Sequence, residues 1–353
     1  MIERAQRVEI TSPCDPGERR TIEEVSNVEA HPIEVDCGPG PDEGIEVVAP
    51  REVPLGGPRA MLVRRTLPTR DRSMVGAWCF ADHYGPDDVS ATGPSTPLRT
   101  SGMRVLPHPH TGLQTVSWLF EGEIEHTDSA GVHAMVRPGE LNLMSAGAGI
   151  SHSEVSTPQT RRLHGMQLWV ALPESARHGS QGFQFHAPAP VHIAGGSVRV
   201  FIGELAGDAS PVETATPLLG AELTVAPNSE VVLDVDPTFE HGLILDFEQA
   251  SLDGVRLGRG DLGYAGPGRD RLTVTNPTDS EARAVLLGGE PFAEDLIMWW
   301  NFVARTHDEI VEYREQWEAR SARFGTVAGW TDRDRIPAPP LPNSRLTPRR
   351  RRH

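Results

Sequence analysis

The feature that most constrains the fold is a long succession of short β-type runs, each bounded by turn residues. Val47-Val48, Met61 to Arg65, Thr115 to Phe120, Leu141 to Met144 and Leu168 to Leu172 form one set. Val198 to Ile202, Leu223 to Val225, Val231 to Val235, Leu243 to Phe247 and Ala284 to Leu287 form a second. Glu121-Gly122, Pro138-Gly139, Pro227-Asn228 and Leu252-Asp253-Gly254 supply turns at the spacing of a sandwich or barrel. Ala187-Pro188-Ala189-Pro190 separates the two sets and reads as a linker, so two all-β domains are expected. The 35 glycines and 31 prolines among 353 residues favour the same turn-rich architecture. One helix is expected, late in the chain. Thr306-His307-Asp308-Glu309 is a capping box, and Ile310, Tyr313, Trp317 and Phe324 then share one helical face.

Composition removes several chemistries. All 33 basic residues are arginines, which excludes Schiff-base lysine enzymes, Walker-A nucleotide binding and the strand lysine of protein kinases. Cys14, Cys37 and Cys79 form no CxxC pair, so neither a disulfide framework nor a cysteine zinc site is expected. No apolar run approaches the roughly 18 residues of a membrane helix. Met1 to Ile10 lacks a signal-peptide core, and a cytoplasmic protein with no membrane partner is expected. Of the net charge of −16, residues 1–50 carry −8, from 12 acids and 4 arginines, whereas residues 343–353 hold five arginines and no acid. The expected organisation is an acidic flexible extension (1–45), an N-terminal domain (46–186), a second domain (191–300), a helix (301–327) and a Pro/Arg-rich tail (328–353). The moderately acidic middle is not expected to bind nucleic acid.

Histidine carries the chemistry. Nine of the 14 lie between His83 and His186. In His108-Pro109-His110 a strand's period of two points both imidazoles to one face, and the proline stiffens the pair. His152-Ser153-Glu154 repeats the geometry with a carboxylate. Two such strands facing each other in a small barrel would give a three-histidine, one-carboxylate site. That donor set suits Fe, Mn, Ni or Cu better than a closed structural zinc, because positions remain open for substrate or O₂. The second domain (191–300) offers only His192 and His241, with no HxH or HxE, and is expected to be metal-free and structural. His126 and His133 flank a turn and are expected to hydrogen-bond near the site or at the surface. His83 is expected to be structural, and His164 is open between structure and site support. Cys79 is expected to be a buried small hydrophobe.

The motifs carry a resemblance. Leu106-Pro107-His108-Pro109-His110-Thr111-Gly112-Leu113-Gln114-Thr115-Val116 resembles the first signature of the pirin family of bicupins. Glu125 to Ser129, Arg137 to Glu140, Ser145 to Glu154, Phe80 to Pro86, Gly165 to Pro173, Ile202 to Glu204 and Leu286 to Pro291 follow in the family's order over residues 46–327. The resemblance implies two tandem cupin barrels (double-stranded β-helix, or jelly roll) with a C-terminal helix. It further implies iron, as Fe(II), held by His108, His110, His152 and Glu154, with Mn, Ni, Cu or Zn remaining open. It implies an oxidoreductase resembling quercetin 2,3-dioxygenase, acting on a flavonol-like or other enolic small molecule with O₂, with Glu154 able to serve as base. The alternative it leaves open is a non-enzymatic metal- or redox-sensing regulator of a protein partner, for which the acidic extension would suit an arm. Gln114 departs from the pattern, since the family usually has Glu there. The change removes a charge beside the site and can alter metal preference or the hydrogen bonds behind the ligands.

Overall fold

A computed structural model describes residues 44–54, 62–89, 103–331 and 333–348. Cys14, Cys37, Met61, the Arg349 to Arg352 run and all but the end of the acidic extension lie outside them. The regular structure of the described chain is β-strand apart from one α-helix, His307–Glu318.

Two barrels share one plan, each a seven-stranded sheet facing a four-stranded one. The first barrel's large sheet runs, edge to edge, Gly182–His186, Leu141–Ser145, Leu113–Glu121, Arg162–Ala171, Trp78–Asp88, Leu62–Leu67, Arg51–Pro54. Its small sheet is Arg104–His110, Ile150–Ser156, Ile124–Asp128, His133–Val136. The second barrel repeats this with Glu46–Val48, Leu262–Ala265, Glu240–Leu245, Ala282–Gly289, Leu218–Val225, Gly196–Ile202 and Val191–Ile193, against Ser229–Asp234, Arg271–Asn276, Gln249–Leu252 and Val255–Gly258. Glu46–Val48, expected to open the first domain, pairs instead with Leu262–Ala265 of the second. Its side chains therefore join the opposite sheet. Turn residues act as their chemistry requires: Gly122, Gly139, Asn228, Asp253 and Gly254 all have positive φ.

The large sheets pack back to back. Trp78, Trp118, Met166 and Leu168 of the first meet Phe201, Ile244, Val285 and Leu287 of the second in one buried cluster. Trp118 lies on Phe201 (ring centroids 4.6 Å apart) and donates its indole N–H to Glu222 Oε2 at 2.8 Å. Cys79 is fully buried in this layer, which pushes its thiol up to about 12. The second barrel is filled with leucine, valine and alanine, including Leu233, Leu243, Leu252 and Leu286. The first is apolar only in part, around Val63, Leu119, Ile124 and Leu163. The helix is capped as its sequence implies, Thr306 and Glu309 bonding each other's backbone N–H, and buries Ile310, Tyr313 and Trp317. Trp118→Phe is expected to cost about 2 kcal/mol in denaturant unfolding, because Glu222 loses a buried charge-assisted bond. Metal content should be unchanged, as the ring faces away from the first barrel's interior.

Candidate metal centre

The two motif strands are hydrogen-bonded neighbours. Arg104–His110 and Ile150–Ser156 run antiparallel, with His152 opposite His108. A register shift between His152 and Glu154 leaves Glu154 opposite Val105 on that side, and opposite His126 on the Ile124–Asp128 side. Arg104–His110 is an edge strand of the small sheet, which is where Pro107 and Pro109 cost no ladder bond. All four predicted site side chains are at least nine-tenths buried.

Backbone acceptors fix the tautomers of His108 and His110. His108 Nδ1 lies 2.9 Å from Leu106 O and His110 Nδ1 3.1 Å from Asn301 O. A carbonyl can only accept, so both protons sit on Nδ1 and both Nε2 atoms carry lone pairs. His152 is held through a relay of side chains. Its Nδ1 is 3.3 Å from His126 Nδ1, and His126 Nε2 is 3.3 Å from Asp128 Oδ2. Asp128 Oδ1 in turn accepts the backbone N–H groups of Ala130 and Val132 at 2.9 and 3.0 Å. With the proton order Asp128, His126, His152, the third Nε2 is also left bare.

Three lone pairs therefore converge: ligand atoms of His108, His110 and His152 lie within 4.8 Å of one another, and His110 Nε2 is 3.1 Å from His152 Nε2. Two lone pairs at that distance repel unless a cation lies between them. Burial holds the rings neutral. It lowers His108 to about 4 and puts His110 and His152 well below the usual histidine range, each helped by the neighbouring imidazoles. Burial pushes Glu154 the other way, above the usual carboxylate range, against the pull of His126 and Ser117. Glu154 groups with His126 and His152 rather than with all three histidines. Its Oε1 accepts from Ser117 Oγ at 3.0 Å, and the same hydroxyl is 3.1 Å from Gln167 Oε1.

Asn301 reaches His110 from far along the chain. It sits at the tip of the hairpin Ile297–Trp299 and Phe302–Ala304, where Trp300 takes a φ of +52°. Gly112 lets this hairpin approach: a Cβ there would meet Val303 O at 2.5 Å. Trp169 stands edge-on to His110, with centroids 5.1 Å apart, and Phe183 stands beside His126 at the same spacing. The fully buried Tyr84 hydroxyl has no partner within the described residues, and the charge of Glu154 raises it further above burial's own effect.

Other expectations fall as follows. Gln114 donates from Nε2 to Ser145 Oγ at 2.8 Å, and its buried Oε1 is unpartnered among the described residues. His133 is exposed and pairs with Glu125. His83 and His164 sit on the other face of the large sheet, away from the three histidines. Ser117, Tyr84 and the Asp128 relay escape a search for ligand motifs, although Glu125-His126-Thr127-Asp128 shows the His-x-Asp spacing that puts both on one strand face.

Residues 60–170 match the Pirin family and residues 220–325 match the Pirin C-terminal cupin domain. The chain belongs to the pirin family. The Pseudomonas aeruginosa protein named "Putative quercetin 2,3-dioxygenase PA1205" is 39% identical over 308 residues, 87% of this chain and 94% of that protein. A Caulobacter vibrioides pirin-like protein is 35% identical over 73% of this chain and 88% of its own length. The crystal structure of an Acinetobacter baumannii quercetin 2,3-dioxygenase superposes with a TM-score of 0.79 at 35% identity, covering 87% of this chain and 98% of its own. The Escherichia coli pirin YhhW, solved with nickel(II), shares the fold at a TM-score of 0.53 and 19% identity, covering 70% of this chain and 100% of its own. The pirin barrels are thus two cupins in tandem.

The buried rings predict an acid-sensitive metal-free protein. An unfolded histidine titrates near 6.5, and the folded rings titrate lower, so their contribution to stability is full above 6.5. It is lost as pH falls toward about 4, the value of His108. Glu154, raised in the fold, works oppositely, its contribution being lost as pH rises through its folded value. Melting temperatures of chelator-treated protein should fall between pH 7 and pH 5, and His110→Gln should flatten that slope.

Proposed function

We propose that the chain is a metal-dependent dioxygenase in which His108, His110, His152 and Glu154 hold the ion and a flavonol-like or other enolic small molecule is the substrate. The observation that carries the reading is the convergence of three neutral imidazole lone pairs beside a buried carboxylate. The donor set, three nitrogens and one oxygen, fits iron(II) and also Mn, Ni, Cu or Zn. The similarity to proteins named as quercetin 2,3-dioxygenases supports the substrate class.

The bound metal would supply a Lewis-acidic, redox-active centre at which an enolate and O₂ can meet. The chain's own residues do the rest. Leu106 O, Asn301 O and the Asp128–His126 relay hold the three rings in the ligating tautomer and orientation. Glu154, kept partly protonatable by burial, takes the proton of the substrate's enolic hydroxyl. Ser117 has one hydroxyl proton and two acceptors, so it can turn from Glu154 to Gln167 and free the carboxylate for the ion or for the substrate proton. Trp169 and Phe183 give apolar walls beside the histidines, and the unpartnered Tyr84 hydroxyl offers a hydrogen bond to a polar group brought in beside Glu154.

His110→Ala should lower both metal content and aerobic quercetin turnover by at least about 100-fold, and turnover should vanish without O₂. Unchanged turnover in that variant would defeat the proposal. Asp128→Asn keeps the turn but weakens the relay. It should reduce metal affinity by about 10-fold to 100-fold, read by competition with a chelator, while leaving the apoprotein folded.

A further inference from the structure

A second group of ligand-type side chains lies on the seam between the barrels. His83 on Trp78–Asp88 and His164 on Arg162–Ala171 belong to the first barrel's large sheet, and Asp246 directly follows Glu240–Leu245 of the second. Alternation along Arg162–Ala171 turns His164 toward the seam, whereas Gln167 faces the barrel interior and Glu154. All three seam residues are more than nine-tenths buried.

The ligand atoms form a small triangle. His83 Nε2 and His164 Nε2 are 3.3 Å apart, and they stand 2.9 and 2.8 Å from Asp246 Oδ1. Atoms bound about 2.0–2.1 Å from one ion stand roughly 2.9 Å apart at a right angle and roughly 3.3–3.4 Å apart at the tetrahedral angle. The triangle has those edges. The surroundings match a ligating carboxylate too. Arg283 Nη1 holds the other oxygen, Oδ2, at 3.3 Å, which leaves Oδ1 to point at the imidazoles. The Arg283 guanidinium also lies over Phe120 at 4.6 Å, and Phe120 stands edge-on to His164 at 4.9 Å. Phe120 also stands edge-on to His83 at 6.3 Å, so an aromatic ring walls both imidazoles.

We propose that His83, His164 and Asp246 bind a divalent transition-metal ion of the zinc type, which staples the first barrel to the second. Two neutral imidazoles and one carboxylate are a zinc-type donor set, with a water completing four ligands. The bonded elements are far apart in sequence, at residues 83, 164 and 246, so the ion closes long loops between domains. Arg64 competes with it. Its Nε lies 3.4 Å from His83 Nδ1, the nitrogen that must carry a proton when Nε2 binds metal, and its positive charge opposes the ion.

The test uses the full chain, stripped by chelator and then equilibrated with Zn²⁺ alone, or with Co²⁺ for its visible spectrum, and counts the tightly held ions. Wild type should hold one equivalent more than Asp246→Asn or His164→Gln. That difference is one equivalent whether or not the His108–His110–His152 centre also fills, so failure here is distinct from failure there. Zn²⁺ should raise the melting temperature of wild type by several degrees more than that of either variant, and Arg64→Gln should tighten the seam ion by about tenfold or more. His164→Gln keeps a hydrogen bond to Asp246 and covers the case in which Asp246→Asn does not fold. Equal stoichiometry in wild type and a folded variant would overturn the proposal and leave a metal-free network in which Asp246 Oδ1 accepts both imidazole N–H groups.

Discussion

The back-to-back packing of the two seven-stranded sheets is the constraint on which the rest depends. A barrel normally needs its own interior as its core, because inward side chains are the ones removed from water. Here the outward faces of both large sheets are buried as well, through Trp78, Trp118, Leu168, Phe201 and Leu287. The first barrel can therefore give up part of its interior to three imidazoles, Glu154, Ser117 and Gln167. The second, filled with leucine and valine, carries none of that polar load. Two barrels of one plan thus differ in content, and the seam makes the difference affordable.

Inside the first barrel, the buried imidazoles are tolerated because each ring has a partner on the side away from the centre. Leu106 O, Asn301 O and Asp128 take one nitrogen of each ring system, which removes most of the desolvation cost of a buried imidazole. What is left over is directed: three lone pairs at one point. A structural polar network would close on itself. This one stops short on its inner side, and the proposed metal centre rests on that asymmetry.

Much of this was legible in the sequence where period-two alternation governs. His108-Pro109-His110 and His152-Ser153-Glu154 announced same-face pairs, and each strand named from a short apolar run overlaps an observed strand, although Leu172, Val235 and Phe247 fall past strand ends. The longest strand, Trp78–Asp88, was missed. It is buried on both faces and carries Asp82, His83 and Gly85, so it shows neither alternation nor a continuous apolar run. The partners that set the tautomers were also illegible, because two are backbone carbonyls. A carbonyl has no residue-type signature, and Asn301 lies 191 positions from His110. The seam group was hidden for the same reason of distance: His83, His164 and Asp246 share no local spacing, and only the stacking of the sheets joins them.

The dependence of the centre on remote chain extends past the ligands. The strand carrying His108 and His110 is an edge, with two prolines that withhold N–H groups, and such an edge would be loose if left bare. It is covered from the other end of the chain. Ile336 N–H donates to Pro107 O at 2.8 Å, Trp330 Nε1 donates to Ser153 Oγ at 2.9 Å, and Val303 N–H donates to Thr111 O at 3.1 Å. Ser151 Oγ donates to Phe324 O at 2.8 Å. The segment after the second barrel thus clamps both motif strands between and beside the proposed ligands. All four proposed ligands lie within residues 108–154, yet the geometry that makes them a site is completed by residues 301–336. A shortened chain ending at the first cupin would keep every ligand and lose Asn301 O, which aims His110, together with the clamp on both motif strands.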